Sequence, residues 1–208
     1  MKKKYQFCLS LTLGLLIFLL TMSGLRRKEE ALASRIAPEI LRFHVLANSD
    51  SSSDQALKLE VKDFILEKLR AGLTEEEAAS KEAVSRYVTT HKAALETAAE
   101  RYIKERGFDY EVRVGLEQCL FPEKTYGDMT FPAGTYDAVR VLIGQGKGKN
   151  FWCVLYPSLC YLDSTYAVVP DSSKSQLSAL LSEDDFQALL NARSVKIRFK
   201  LADCLKMK

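Results

Sequence analysis

The sequence has little of what enzymes and metal-binding proteins usually carry. It contains two histidines, His44 and His91, and none of its five cysteines belongs to a C-x-x-C pair. The alternating glycines of residues 144–148 lack both the G-K-[ST] of a phosphate-binding loop and the spacing G-x-G-x-x-G. We therefore predict no metal site, no cofactor, no small-molecule substrate and no enzyme activity.

Most of the chain also lacks an excess of positive charge. Six of the 30 Lys and Arg residues and two of the 27 Asp and Glu residues lie in residues 1–30. That segment therefore carries a net charge of +4, and the rest of the chain a net charge of −1. Proteins that bind nucleic acid usually present a dense basic face. This distribution excludes nucleic acid as the expected partner.

What the sequence does have is an apolar N-terminus behind a short basic segment. Residues 2–4 are lysines, and residues 7–22 are apolar or small, with only one serine and two threonines as polar interruptions. This layout is typical of a secretory signal peptide or an uncleaved anchor. Residues 1–30 are predicted to be one of the two, with later residues outside the cytoplasm. Small residues at 21–23 and at 31–33 both permit cleavage, so cleavage and anchoring stay open.

Residues 34–208 are predicted to form a single globular domain of the α+β class. Alternating or continuous apolar residues predict strands at 40–47, 110–117, 136–143, 151–156 and 195–201. Apolar residues at helical spacing predict helices at 54–70 and 80–106 and a short one after Ser182, following a serine-rich loop at about 163–182. Because most strands come late in the chain, we expect an antiparallel sheet with two main helices packed on one side.

Three local expectations follow from the same patterns. Alternation in the first strand predicts that Arg42 and His44 point away from the core. The glycines of residues 144–148 predict a flexible hairpin that pairs the strand before it with a central strand at 151–156. The apolar stripe of the second long helix includes His91, which is therefore expected to be half-buried.

Four cysteines follow the export segment: Cys119, Cys153, Cys160 and Cys204. In an oxidising compartment they allow three pairings, and the sequence does not choose among them. A bridge between Cys153 and Cys160 would close a short loop around Pro157. Alternatively, the cysteines are small buried side chains with free thiols.

Several stretches together resemble one protein family. They are RFHVLANSDS at residues 42–51, FPEKTYG at 121–127, FPAGTYDA at 131–138 and GQGKGKNFWCVLYPSLC at 144–160. In this order they are similar to stage II sporulation protein R of endospore-forming Firmicutes. Two residues depart from that pattern: Phe151 stands where the family tends to have a second tryptophan, and Ser158 where it tends to have proline.

The resemblance implies that the chain is a signal. Members of this family are made in the forespore and exported into the space between the two sporulation membranes. There they activate a membrane-embedded aspartic protease of the mother cell, stage II sporulation protein GA, which removes the pro-sequence of sigma-E. An export segment and a nearly neutral domain fit such a role.

Aromatic and exposed basic residues supply the candidate partner-binding surface, since tryptophan and tyrosine are frequent interface anchors. The predicted contact residues are Tyr126, Lys147, Lys149, Asn150 and Trp152. Alternatively, Trp152 belongs to the core. Two other functions stay open: an exported hydrolase that uses His44 or His91, and an envelope-binding or scaffolding module without protease activation.

Overall fold

The computed structural model describes residues 2–160 and 168–191. Its helices are α1 Lys2–Ile36, α2 Ser52–Gly72, α3 Glu75–Ala78, α4 Lys81–Thr90, α5 Lys92–Lys104, α6 Asp171–Leu180 and α7 Glu183–Asn191. Its strands are β1 Leu41–Leu46, β2 Val112–Phe121, β3 Lys124–Tyr126, β4 Met129–Phe131, β5 Gly134–Ile143 and β6 Asn150–Tyr156. The predicted strand at 195–201 and Cys204 lie outside the described residues.

The main sheet has four strands in the order β2-β5-β1-β6. The α+β class is confirmed, but the sheet is mixed, because β1 and β5 run parallel while the other neighbouring strands are antiparallel. The long connection through α2–α5, β2 and the β3–β4 hairpin lets the chain return to β1 in the same direction.

The predicted hairpin between β5 and β6 is wrong, because β1 lies between these two strands. Residues 144–149 cross the end of β1 instead of making a tight turn. The Gly148 amide donates to the Ala47 carbonyl at 2.9 Å, and the Lys147 amide donates to the Asn48 carbonyl at 3.2 Å. Strand β6 therefore pairs with β1 alone in the described sheet, not as the central strand that its apolar sequence suggests.

One face of the sheet, here called the first face, packs against the helices that follow β1. Its buried side chains are apolar and include Phe43, Val45, Val139 and Val141, which meet Ile65 and other residues of α2, α4 and α5. This arrangement confirms the expected packing of helices on one side of the sheet. It forms the larger apolar core of the protein.

The second long helix of the prediction is two helices that meet at His91. The backbone amide of His91, at the end of α4, donates a hydrogen bond to the Tyr87 carbonyl at 2.9 Å. The His91 side chain is exposed, so the expectation of a half-buried histidine is wrong. Thr89 and Thr90 precede the break, and β-branched residues have lower helix propensity.

The opposite face, here called the second face, is covered over part of its area. The β3–β4 hairpin, the end of α1 and the helices α6 and α7 bury a second apolar cluster there. The Phe-Pro pairs at 121–122 and 131–132 predict a strand–turn–strand region, and the hairpin confirms it. The serine-rich loop is wrong for residues 171–180, which form α6, because Leu177 and Leu181 supply an apolar stripe at helical spacing.

Helix α1 is long and apolar enough to cross a membrane, with a mean hydropathy of 2.1 in its apolar window. Its last turns belong to the domain: Ala33 and Ile36 are buried, and the Arg35 guanidinium donates to Asp185 Oδ1 at 2.7 and 2.9 Å. A Cβ atom on Gly134 would lie 2.6 Å from the Ala33 side chain, so only glycine permits this approach. The end of α1 and the sheet are thus packed together.

Candidate functional site

The second face of β1 carries two basic residues in the interior. Arg42 is 0% exposed and His44 is 6% exposed, so the expectation that both point toward solvent is wrong. The alternation itself is present, because Phe43 and Val45 lie on the first face. Both faces of β1 are buried, since it is an inner strand and the hairpin covers the second face beside it.

Aromatic rings surround the Arg42 guanidinium. Its central carbon lies 4.5 Å from the centroid of Phe121, 5.1 Å from Tyr136, 5.5 Å from Phe131 and 5.9 Å from Tyr126. None of its three nitrogens has a hydrogen-bond partner in the described part of the chain. Burial lowers the pKa of Arg42, and cation–π attraction to the rings offsets part of that cost.

His44 stacks on the tryptophan of the neighbouring strand. The His44 and Trp152 ring centroids lie 3.7 Å apart at an interplanar angle of 15°, and the Phe121 ring meets His44 edge-on at 5.9 Å. Burial lowers the pKa of His44 to about 4, while the neighbouring Asn150 amide acts in the opposite direction. The imidazole is therefore neutral at pH 7, and neither of its nitrogens finds a partner among the described residues.

Arg140 of β5 lies opposite His44 in the parallel register. Its Nη1 donates to Glu117 Oε2 at 2.8 Å, and the Arg140 side chain is 33% exposed. Within residues 2–160 and 168–191, the buried side-chain nitrogens without a partner are three of Arg42, two of His44 and one of Arg140. We call these three residues the basic row. Unsatisfied buried polar groups are costly, so their concentration at one place marks a candidate site.

Three of the sequence-predicted contact residues meet beside the basic row. Trp152 is half-buried and stacks on His44, and Asn150 is exposed at the start of the same strand. The Tyr126 hydroxyl donates to the Trp152 carbonyl at 3.2 Å, which ties the hairpin to β6. Trp152 therefore both packs in the second cluster and borders the surface.

The loop with the two predicted lysines is held against the turn after β1, so its expected flexibility is wrong. The Gln145 amide donates to Asn48 Oδ1 at 3.0 Å and the Lys149 amide to Asp50 Oδ1 at 2.7 Å. Gly144 and Gly146 have φ of +56° and +60°, which suits glycine and lets the loop fold back. The side chains of Lys147 and Lys149 are exposed.

A disulfide joins Cys153 and Cys160 and closes the turn at the end of β6. Inside this turn the Leu159 amide donates to the Val154 carbonyl at 3.0 Å. Cys119 carries a half-buried free thiol. No cluster of three or more His, Cys, Asp or Glu side chains that would suit a metal ion occurs in the described ranges.

The sequence also matches a known protein family. Residues 37–166 match the family model described as stage II sporulation protein R, and this range contains the basic row, the hairpin and the disulfide. Stage II sporulation protein R of Bacillus subtilis (strain 168) is 34% identical over 155 residues, which covers 71% of this chain and 68% of that protein. No solved structure matches the chain. The chain belongs to the stage II sporulation protein R family.

Proposed function

We propose that this protein is an exported signal that activates a membrane-embedded aspartic protease, stage II sporulation protein GA, and so causes processing of pro-sigma-E to sigma-E in the mother cell. Family membership supports a role in sporulation. The finer role follows from the family resemblance and from two features of the chain. These are the link between α1 and the domain, and the surface around Trp152.

The observation that carries the proposal is the continuity of α1. Its apolar stretch ends near Leu25, and its last residue, Ile36, is buried in the domain. At a rise of about 1.5 Å per residue, these two positions are roughly 17 Å apart. An anchored form of the chain would hold its domain close to the bilayer, where a membrane-embedded protease is reached without a long linker.

The surface around Trp152 supplies a contact for such a partner. It combines a tryptophan and a tyrosine with exposed polar and basic neighbours, Asn150, Lys147 and Lys149. Aromatic residues are enriched among the interface residues that contribute most binding energy. The fixed loop keeps both lysines at one end of the sheet, so a partner would meet them without first ordering the loop.

The hydrolase alternative finds no support in the described side chains. His44 is buried and neutral, and the exposed His91 has its Nδ1 3.0 Å from the Tyr87 carbonyl. No serine, cysteine or carboxylate in the described ranges hydrogen-bonds to either imidazole. A nucleophile or an acid–base pair needs such a contact to be activated.

Reconstitution in a heterologous bacterium tests the proposal directly. The full chain is co-expressed with the protease and pro-sigma-E, and removal of the pro-sequence is followed on gels. We expect processing only when all three are present, and loss of processing when residues 1–22 are deleted. An exported, folded chain that supports no processing would overturn the proposal and favour the envelope-binding alternative.

Variants of the surface test where the partner binds. We expect the triple substitution Lys147→Ala, Lys149→Ala and Trp152→Phe to lower processing at least tenfold while the protein still folds. The matched control is Lys104→Ala. Lys104 is an exposed lysine on α5, which packs on the first face of the sheet, so this variant should support normal processing. Full processing by the folded triple variant would remove this surface from the proposal.

A further inference from the structure

We propose that the basic row is a binding site for a carboxylate carried on an apolar or aromatic segment of the partner protein. Arg42 is the innermost contact, and His44 and Arg140 line the path to it. The identity of the occupant rests on the proposed function, because a partner protein must exist. The presence of a carboxylate site does not rest on the proposed function, and it is tested separately.

The first argument is the unmet hydrogen bonding of Arg42. A guanidinium has five N–H donors in a planar fork, and burial without partners removes the water that would otherwise satisfy them. The four surrounding rings attract the positive charge, but no group on them accepts a hydrogen bond from the guanidinium. A carboxylate accepts two parallel N–H bonds from such a fork and neutralises the charge.

The second argument is the absence of a resident counter-ion among the described residues. Glu117 is the carboxylate that pairs with the basic row, but it is 50% exposed and accepts from Arg140, not from Arg42 or His44. No described acidic side chain hydrogen-bonds to Arg42 or His44. The site therefore has the charge and donors for an anion, and this part of the chain does not provide one.

The third argument concerns the rest of the occupant. The ring of Phe121 lies between Arg42 and His44, at 4.5 Å from the guanidinium carbon and 5.9 Å from the imidazole centroid. Trp152 contacts the same ring edge-on at 4.6 Å. A group that enters beside these rings would replace contacts between the rings with contacts to its own apolar surface. A carboxylate next to an aromatic or apolar body fits this environment better than a bare, strongly hydrated anion.

The fourth argument is the gradient of solvent exposure along the basic row. Exposure falls along the basic row, from the partly exposed Arg140 to the nearly buried His44 and the fully buried Arg42. The last step requires the β3–β4 hairpin to move, because its Tyr126 and Phe131 rings cover Arg42. Strand β4 is buried, whereas the three residues of β3 are only partly buried or exposed and pair with β4 alone in the described sheet, so the opening starts at β3 and Tyr126. Local opening of such an element costs less than global unfolding.

Fluorescence of the full chain in detergent tests the site without any partner. Trp152 is the single tryptophan of the chain, and its carbonyl accepts a hydrogen bond from the hydroxyl of the hairpin residue Tyr126. We expect sodium phenylacetate to change Trp152 emission saturably at constant ionic strength, and neutral phenylacetamide to have no saturable effect. No saturable change with phenylacetate, or an equal change with the amide, would overturn the proposal.

Substitution of Arg42 supplies the matched comparison. We expect Arg42→Met to weaken phenylacetate binding at least tenfold while the melting temperature stays the same or rises, because an unpaired buried charge is removed. Arg101→Met, an exposed arginine on α5, should bind as the wild type does. Unchanged binding by a folded Arg42→Met variant would contradict the inference.

Tyr126→Phe keeps the test decisive if Arg42→Met does not fold. It retains the aromatic ring and removes the bond to the Trp152 carbonyl, so the hairpin should open more easily. Because the binding-competent state becomes more populated, apparent affinity for phenylacetate should rise severalfold. Unchanged or weaker binding would contradict access through the hairpin.

The acidic side chains outside the described ranges, Asp163 and Asp203, are the competing occupants. If one of them fills the site, the double variant Asp163→Asn and Asp203→Asn should bind phenylacetate at least tenfold more tightly than the wild type. That result would show that the chain fills its own site, and it would overturn the proposal that the site binds a partner. Equal affinity in the two proteins would support it.

The processing assay separates this inference from the proposed function. We expect folded, exported Arg42→Met to lose processing. Normal processing by this variant would contradict the inference and leave the proposed function standing. If the wild-type chain itself supports no processing, the proposed function fails, while phenylacetate binding still decides whether the carboxylate site exists.

Discussion

The two faces of the sheet are built from the same strands but on different principles. On the first face, Phe43 and Val45 of β1 meet apolar side chains of three helices, and each buried group finds a neighbour of its own kind. On the second face, Arg42 and His44 of the same strand are buried among aromatic rings with their nitrogens unsatisfied by the described residues. Both faces bury apolar clusters, but among the described residues only the second face also buries basic nitrogens without hydrogen-bond partners.

The contrast shows that burial alone does not identify a stabilising residue. Phe43 and Arg42 are neighbours in sequence and both are fully buried. Removing Phe43 leaves a cavity, whereas removing the charge of Arg42 relieves a desolvation cost.

The largest effect should come from the first face. We expect Phe43→Ala to lower the free energy of unfolding by about 3–5 kcal/mol, because a fully buried aromatic ring is lost and the cavity is not refilled. Urea titration followed by circular dichroism measures it, with Arg42→Met as the comparison. A smaller loss for Phe43→Ala than for Arg42→Met would reverse the assignment of the two faces.

The disulfide turn links the faces, because Cys153 and Cys160 belong to the first cluster and Val154 and Leu159 to the second. Replacing both cysteines by serine should cost about 2–3 kcal/mol, as expected for releasing a short closed loop. Unfolding followed in parallel by circular dichroism and by Trp152 fluorescence shows whether the faces still unfold together. Separate transitions would show that the bridge couples them.

The third effect is pH dependence on the second face. His44 has a pKa of about 4 in the folded protein, below its ordinary value of about 6.5, so the unfolded chain binds more protons between these values. Stability should therefore fall on the order of 2 kcal/mol as pH drops from about 6.5 to about 4, with no further loss from this group below that.

His44→Phe provides the control for this pH effect. It keeps an aromatic ring next to Trp152 and removes the titrating group, so the difference from wild type isolates His44 from the carboxylates. The measurement is the free energy of unfolding at several pH values for both proteins. Identical pH profiles would show that His44 is not the group responsible.

The smallest effect concerns the contact between α1 and the sheet. Gly134→Ala should cost about 1–2 kcal/mol, because its new methyl group meets the Ala33 side chain. Ala33→Gly should recover part of this loss in the double variant, despite the lower helix propensity of glycine. Additive losses in the double-mutant cycle would show that the two residues do not contact each other.

Local patterns in the sequence predicted many elements of this fold. Thr74 and Glu77 form a capping box, and Ser80 and Ser182 accept bonds from the amides three residues later, as short-range chemistry dictates. Strand positions followed from alternation in the same way. These features depend on residues within a few positions of one another, so a single sequence contains the information.

The features that were missed depend on contacts between distant segments. Alternation showed that Arg42 and His44 share a side of β1, but the cover over that side comes from β3 and β4, some eighty residues later. Residues 144–149 hydrogen-bond to the turn after β1, and this crossing places β6 beside β1 and not beside β5. Within the candidate site, Trp152, Tyr126 and Asn150 were identified from residue type, whereas the basic row required the folded arrangement.

Because Ala33 packs closely against Gly134, the position of any cut in α1 would decide how much of the domain remains. A cut near residues 21–23 would leave the α1 stub seated against the sheet, with the Arg35–Asp185 ion pair intact. A cut after Ala33 would remove a packed residue and separate Arg35 from the helix that orients it. A cut at the first position would remove only residues outside the domain. A cut at the second position would also remove Ala33, which is part of the packed domain.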